Sequence, residues 1–173
     1  MKRIFYSLVV LLQISYANGQ TTDKELDLFE QGILEVLPLA EELKIHLLIE
    51  PEPELLIENS NQFKNFIEKF DSNYLGLNFD IGHFVCVNED PVKLIHDLGD
   101  YIHHIHLEDI NYNREHHHLI PGKGMINFKE IFNSLNSINY DGFVTVELYP
   151  YQNNPQEAAI ESMKFLNTVL EDV

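Results

Sequence analysis

The chain is short of three things, and each shortage excludes something. It has a single cysteine, Cys86, so no internal disulfide framework can form and the redox compartment is left open. Basic residues are scarce: 11 Lys and Arg stand against 28 Asp and Glu, a formal charge of −17. A surface that acidic repels phosphate backbones and anionic lipid, so neither nucleic acid nor membrane is the expected partner. Part of the acid excess is also what a cation site would need. The apolar stretch at residues 4–12 is too short for a membrane span. Fine-period repeats and low-complexity segments are absent too. What is present, 173 residues with 45% hydrophobic and 11% aromatic content, suffices for one domain with a real core.

The N-terminus reads two ways. Lys2 and Arg3, then the apolar stretch, then Ser15-Tyr16-Ala17 have the form of a secretory signal over residues 1–17. The other reading is a buried strand, "SLVVLLQISYANG", at the head of a truncated domain. With the second reading the expected location is the cytoplasm.

Beyond residue 20 the pattern is regular. Leu26, Phe29, Ile33, Leu37 and Ala40 recur at helical spacing, with Thr22 or Asp23 as cap and a kink expected at Pro38. A strand is expected at 45–50, a helix near 60–70 through Phe63, Phe66 and Ile67, and a strand at 74–80. Asp90-Pro91 opens a short helix to residue 99. The strand "YIHHIHLED" (101–109), a polar loop at 110–124, a helix capped by Asn127, the strand "GFVTVEL" and a closing helix complete the chain. Four βα units in succession predict an α/β fold with a parallel sheet covered by helices.

In such folds the active site lies where strands end and βα loops begin. Glu50, Asp80, His106 and Glu147 fall at the ends of four successive strands. Parallel strands lie roughly 4.8 Å apart, so these side chains converge on one small volume. Three crowded carboxylates repel one another unless a cation sits among them. Oxygen-rich ligands with one imidazole suit one divalent ion, Mn²⁺ or Mg²⁺ ahead of Co²⁺ or Zn²⁺.

The motifs "IEPEPE", "FDIGH", "HIHLED", "HHLIPGKG" and "VELYPY", in this order, resemble the C-terminal portion of the xylose isomerase-like TIM barrels, the sugar phosphate isomerase/epimerase superfamily. The resemblance covers residues 20 to 173. It implies a (β/α)₈ barrel whose metal is held by Glu50, Asp80, His106 and Glu147, with His106 rather than His104 as the imidazole ligand. It also implies that His83, in the D-x-x-H motif begun by Asp80, faces substrate or a second metal. A whole barrel needs about 250 residues. This chain has room only for strands 4 to 8, with the N-terminal residues 1–20 as strand 4 or as the signal. A partial barrel would self-associate or pair with a missing N-terminal half, because a free strand edge invites association.

The implied activity is isomerisation or epimerisation of a sugar or sugar phosphate. The metal polarises a carbonyl and acidifies the neighbouring C–H. Glu147 and Glu50 then serve as base and acid on opposite faces, exchanging a proton through an ene-diolate. A dehydratase or lyase of the same superfamily would look similar. In the loop "NYNREHHHLIPGKG", Arg114 is a candidate clamp for a substrate hydroxyl or phosphate, and His116, His117 and His118 are candidates for a further ligand. Lys123, in "PGKG", lies after strand 7, where such barrels often bind phosphate, though a plain turn also explains its glycines. Glu52 and Glu54 are within reach of substrate. His46, His96, His103, His104 and Cys86 are expected to serve packing.

Two rivals stand beside this reading. An endonuclease IV-like repair enzyme shares D-x-x-H, but the acidic balance and the missing early strands oppose it, and "NREHH" lacks the aspartate its zinc pair would need. A catalytically inactive half-barrel serving as a binding or scaffold protein is the other.

Overall fold

The structure, a computed structural model, describes residues 7–10 and 23–173. Of the N-terminal alternatives, signal or strand, only Ser7–Val10 falls within the described residues. It forms strand β1, parallel to β2 (His46–Ile49). Then follow β3 (Leu75–Asp80), β4 (Ile102–Leu107) and β5 (Phe143–Val146). All neighbours run parallel, in the order β1-β2-β3-β4-β5. Sequential order with a helical crossover after each strand is barrel topology, here as a partial barrel.

Helix α1 (Asp23–Leu43) buries the predicted stripe of Phe29, Ile33, Leu37 and Ala40, and Pro38 lies inside it. The Phe29 ring stacks on Phe66 of α2 (Ser60–Ile67) at 4.9 Å, fastening the two helices. Asn59 begins α2 with a capping box: its side chain accepts from the Gln62 N–H while the Gln62 side chain accepts from the Asn59 N–H. Helix α4 (Pro91–Leu98) is capped by Asp90 and carries Pro at its first position, where a missing N–H costs nothing. Helix α5 (Phe128–Ser137) is capped by Asn127, and α6 (Pro155–Leu170) closes the chain. The expected helices and strands are present within a few residues.

One helix escaped the sequence reading. Ile81–Cys86 forms α3, a short helix directly after β3, in which five of six residues are buried. It has no polar face, so it shows no 3.6-residue periodicity. Its start is fixed instead by Asp80, whose side chain accepts from the His83 N–H at 2.8 Å.

Alternation in the strands sorts the residues. Leu47, Ile49, Leu75, Leu77, Phe79, Ile105 and Leu107 join the helices in one apolar core, while Glu50, Asn78, Asp80 and His106 follow the opposite parity. Each large aliphatic or aromatic side chain so buried contributes about 1.5–3 kcal/mol. Parallel pairing brings Asp80 opposite His106. Glu147, one residue past β5, donates its N–H to the Leu107 carbonyl and is held at the same level. Among the described residues no helix is long and apolar enough to cross a membrane.

Candidate metal centre

Glu50, Asp80, His106 and Glu147 each offer a ligating atom, and these atoms lie within 4.8 Å of one another. The four come from consecutive strand ends, so sheet geometry alone assembles them. Nδ1 of His106 stands 2.7 Å from Glu50 Oε1 and 3.2 Å from Glu147 Oε2. Glu50 and Asp80 are buried, His106 and Glu147 partly so. Burial opposes charge on His106, but the adjacent Glu147 and Glu50 carboxylates outweigh it and raise its pKa to about 10. The hydrogen bond from His106 in turn holds Glu147 below the usual carboxylate range. Acidic oxygens here demand positive charge.

Two of the oxygens lack conventional partners. Glu50 Oε1, despite its approach to His106, makes no hydrogen bond of acceptable geometry, and Asp80 Oδ2 makes none at all. A buried carboxylate oxygen without a donor costs several kcal/mol unless it meets a cation or a proton. Three carboxylates and one imidazole with oxygens left over fit a divalent ion. The residues that would hold it are Glu50, Asp80, His106 and Glu147.

The surroundings include a residue that sequence reading missed. Glu108 follows β4, is fully buried, and has neither oxygen hydrogen-bonded in acceptable geometry. Burial first, then the charge of Asp80, push its pKa well up, and burial raises Asp80 as well. Gly82 makes room for this carboxyl, because a Cβ there would collide with Glu108 Oε1. The pair of acids at the end of "HIHLED" was a signal, but only the fold shows that Glu108 turns towards Asp80.

Three histidines lie beside the tetrad. His83 is buried and places Nδ1 3.0 Å from the Pro51 carbonyl, so Nδ1 carries the proton it donates. His118 is buried and does the same to the Glu147 carbonyl at 3.1 Å. His116 places Nε2 3.0 Å from Nε2 of His83. Burial lowers the pKa of all three, favouring neutral rings. His117 points away into solvent.

A cavity of about 260 Å³ is lined by Glu50, Glu52, His83, His116, His118, Glu147 and Tyr149. Glu52 is half-buried there, and burial, followed by the charges of Glu50, Asp80 and Glu147, lifts its pKa to about 7. Another cavity, of about 320 Å³, is lined by residues at the amino ends of β2, β4 and β5, among them His46, His103 and His104. It contains none of the groups of ligating atoms found among the described residues.

Two residues expected at substrate lie elsewhere. Lys123 is exposed and pairs with Glu161 of α6 at 2.5 Å. Arg114 donates from Nη1 to the Val85 carbonyl at the end of α3, at 2.7 Å. The backbone N–H groups of "PGKG" are also engaged. Gly122 and Gly124 donate to Asp109 Oδ2 at 2.9 and 2.8 Å, while Ile110 and Ile126 donate to Oδ1 at 2.9 and 3.0 Å. Asp109 thus folds the loop into a structural turn, and those amides are not aimed at a ligand. Gly122 adopts φ +89°, a conformation that favours glycine.

Residues 5–169 match the family described as xylose isomerase-like TIM barrel. Inosose dehydratase of Lacticaseibacillus casei is 28% identical over 167 residues, covering 86% of this chain and 56% of that protein. Inosose dehydratase of Clostridium beijerinckii is 26% identical, covering 83% and 54%. The chain therefore spans about half the length of the curated relatives it matches. Among solved structures, a D-tagatose 3-epimerase-like protein superposes with TM-score 0.81 at 28% identity, covering 97% of this chain and 63% of that one. The IolI protein with a bound zinc atom shares the fold, with TM-score 0.78 at 19% identity, 96% of this chain and 63% of that one. This chain belongs to the xylose isomerase-like TIM barrel family.

Proposed function

We propose that this chain carries the metal-binding half of a sugar-modifying active site that moves a proton on the carbon beside a carbonyl, giving an epimerase or isomerase. The observation that carries this reading is the tetrad of Glu50, Asp80, His106 and Glu147 at four consecutive strand ends. A bound divalent ion would supply polarisation of the substrate carbonyl. Glu147 is half-exposed and borders the cavity, with its pKa held low by His106, so it is available as the base at its free oxygen. Glu50, three strands away across the sheet order, lines the same cavity and returns a proton from the other flank. The buried Asp80 has no access to that cavity and serves the ion alone.

A dehydratase is the second reading, favoured by the inosose dehydratase relatives. It begins with the same proton removal and ends with loss of a hydroxyl from the next carbon. Both reactions are tested by incubating the purified chain with Mn²⁺ in D₂O against D-tagatose, D-fructose and inosose. Proton magnetic resonance reads the C–H beside the carbonyl. Deuterium entering at that carbon, with the epimer formed, supports the first reading; formation of a dehydrated product supports the second. A metal-loaded chain that exchanges no C–H and forms no product contradicts both and leaves an inactive binding half-barrel.

A further inference from the structure

We infer that the cavity beside the tetrad takes an uncharged polyhydroxy compound, a free sugar or cyclic polyol, and that Glu52 turns the phosphorylated counterpart away. The inference rests on the proposed reading of this site as sugar-modifying, and names the class of substrate within it. Glu52 lines the cavity together with Glu50 and Glu147, and no lysine or arginine lines it. Its volume of about 260 Å³ is smaller than the roughly 300–1,000 Å³ typical of sites for drug-sized ligands, which suits a single sugar.

The wall of this cavity is rich in acceptors and poor in donors. Besides the three carboxyl groups, His83 and His118 spend their Nδ1–H groups on the carbonyls of Pro51 and Glu147, at 3.0 and 3.1 Å. Tyr149 donates its hydroxyl to the His116 carbonyl at 3.4 Å. Each hydroxyl of a polyol brings a proton to such a wall. A phosphate dianion brings oxygens alone, so acceptors would face acceptors on both sides. A divalent ion on the tetrad does not reverse this, because the carboxylates of Glu50, Asp80 and Glu147 outweigh its two charges.

The positions where a barrel would hold phosphate are already taken. Such sites are built from the loops after strands 7 and 8, here the loops after β4 and β5. In the first, the amides of Gly122 and Gly124 point at the Asp109 carboxylate, which fills the anion position itself. Arg114 is held by the Val85 carbonyl and Lys123 by Glu161. After β5, the first turn of α6 carries Glu157, which opposes an anion at that helix start. Glu52 is fixed for its role by its backbone. Its N–H donates to the Ile57 carbonyl at 3.0 Å and its carbonyl accepts from the Leu55 N–H at 3.1 Å, with Pro51 and Pro53 on either side. No lysine or arginine among the described residues pairs with its carboxyl group. Ionised or protonated, that group hydrogen-bonds a hydroxyl and offers no positive charge to a phosphate.

The test is binding of D-glucitol and D-glucitol 6-phosphate to the purified chain in excess Mg²⁺, followed by ligand-observed magnetic resonance titration. Neither probe has a carbonyl, so neither can react. The inference predicts that wild type binds glucitol at least about tenfold more tightly than its phosphate. Glu52→Gln keeps the shape and hydrogen bonding of the side chain but not its negative charge. It should retain glucitol and narrow the gap several-fold, and Glu52→Lys should prefer the phosphate. Phosphate bound by wild type as tightly as glucitol, no binding of glucitol, or a gap that neither variant narrows would overturn the inference. Failure of the proton-transfer reading shows separately. A chain that selects glucitol over its phosphate yet exchanges no C–H in D₂O keeps this specificity and loses that chemistry.

Discussion

Nδ1 of His106 stands 2.7 Å from Oε1 of Glu50, although β3 separates the strands that carry them. The two side chains meet over the carboxyl end of β3, where Asp80 rises between them opposite His106. Glu147 approaches the same nitrogen from β5, at 3.2 Å. One imidazole is therefore the hub of a ring of acids, and whatever balances their charge must sit beside it.

Asp109 is predicted to be the largest single contributor to loop stability. It is fully buried and accepts four backbone N–H bonds from Ile110, Gly122, Gly124 and Ile126. Asp109→Ala strands those donors and should cost about 3–5 kcal/mol in urea unfolding. Lys123→Ala removes only an exposed, solvent-screened pair with Glu161 and should leave the urea unfolding midpoint essentially unchanged. A loss of similar size in both variants would contradict the assigned roles.

Cys86 should be a sluggish nucleophile. Burial, then the nearby Asp80 charge, push its thiol up to about 11, with Arg114 acting weakly in the other direction. At pH 8 its thiolate fraction is about a hundredfold below that of an unperturbed thiol, and alkylation by iodoacetamide should slow accordingly. Reaction at the rate of free cysteine would refute this.

His103 should make the fold acid-sensitive. Its ring packs on His46 at 4.2 Å, and burial followed by the His46 charge lowers its pKa to about 4. The unfolded chain, with His near 6.5, takes up the proton first, so stability falls as pH drops from 6.5 towards 4. The ring is only partly buried, so after solvent screening the effect is about 1 kcal/mol. His103→Gln should flatten that part of the stability–pH curve, measured by urea titration at several pH values. An unchanged slope would show that the ring does not titrate differently on folding.

The frame of this molecule was legible in its sequence because its strands are continuous apolar runs and its helices, α3 apart, are amphipathic. Phe29, Ile33, Leu37 and Ala40 of α1 and the caps Asp90 and Asn127 follow local rules. The tetrad was legible because strand ends are countable. The loop after β4 was not. Arg114 and Lys123 looked like ligands for substrate, and only tertiary contacts send one to the Val85 carbonyl and the other to Glu161. Asp109 and Glu108 are adjacent acids with opposite fates: one collects four amides, the other faces a second carboxyl. No periodicity separates them. Helix α3 was hidden because burial on all sides erases the polar stripe that marks a helix.

The most direct test is Mn²⁺ binding by titration calorimetry on the purified chain, Glu147→Gln and His116→Ala. The account predicts one equivalent for wild type and for His116→Ala, with affinity reduced at least about a hundredfold in Glu147→Gln, whose oxygen would be a ligand. Wild-type affinity retained by Glu147→Gln, or no binding by a folded wild-type chain, would contradict a metal centre at these strand ends.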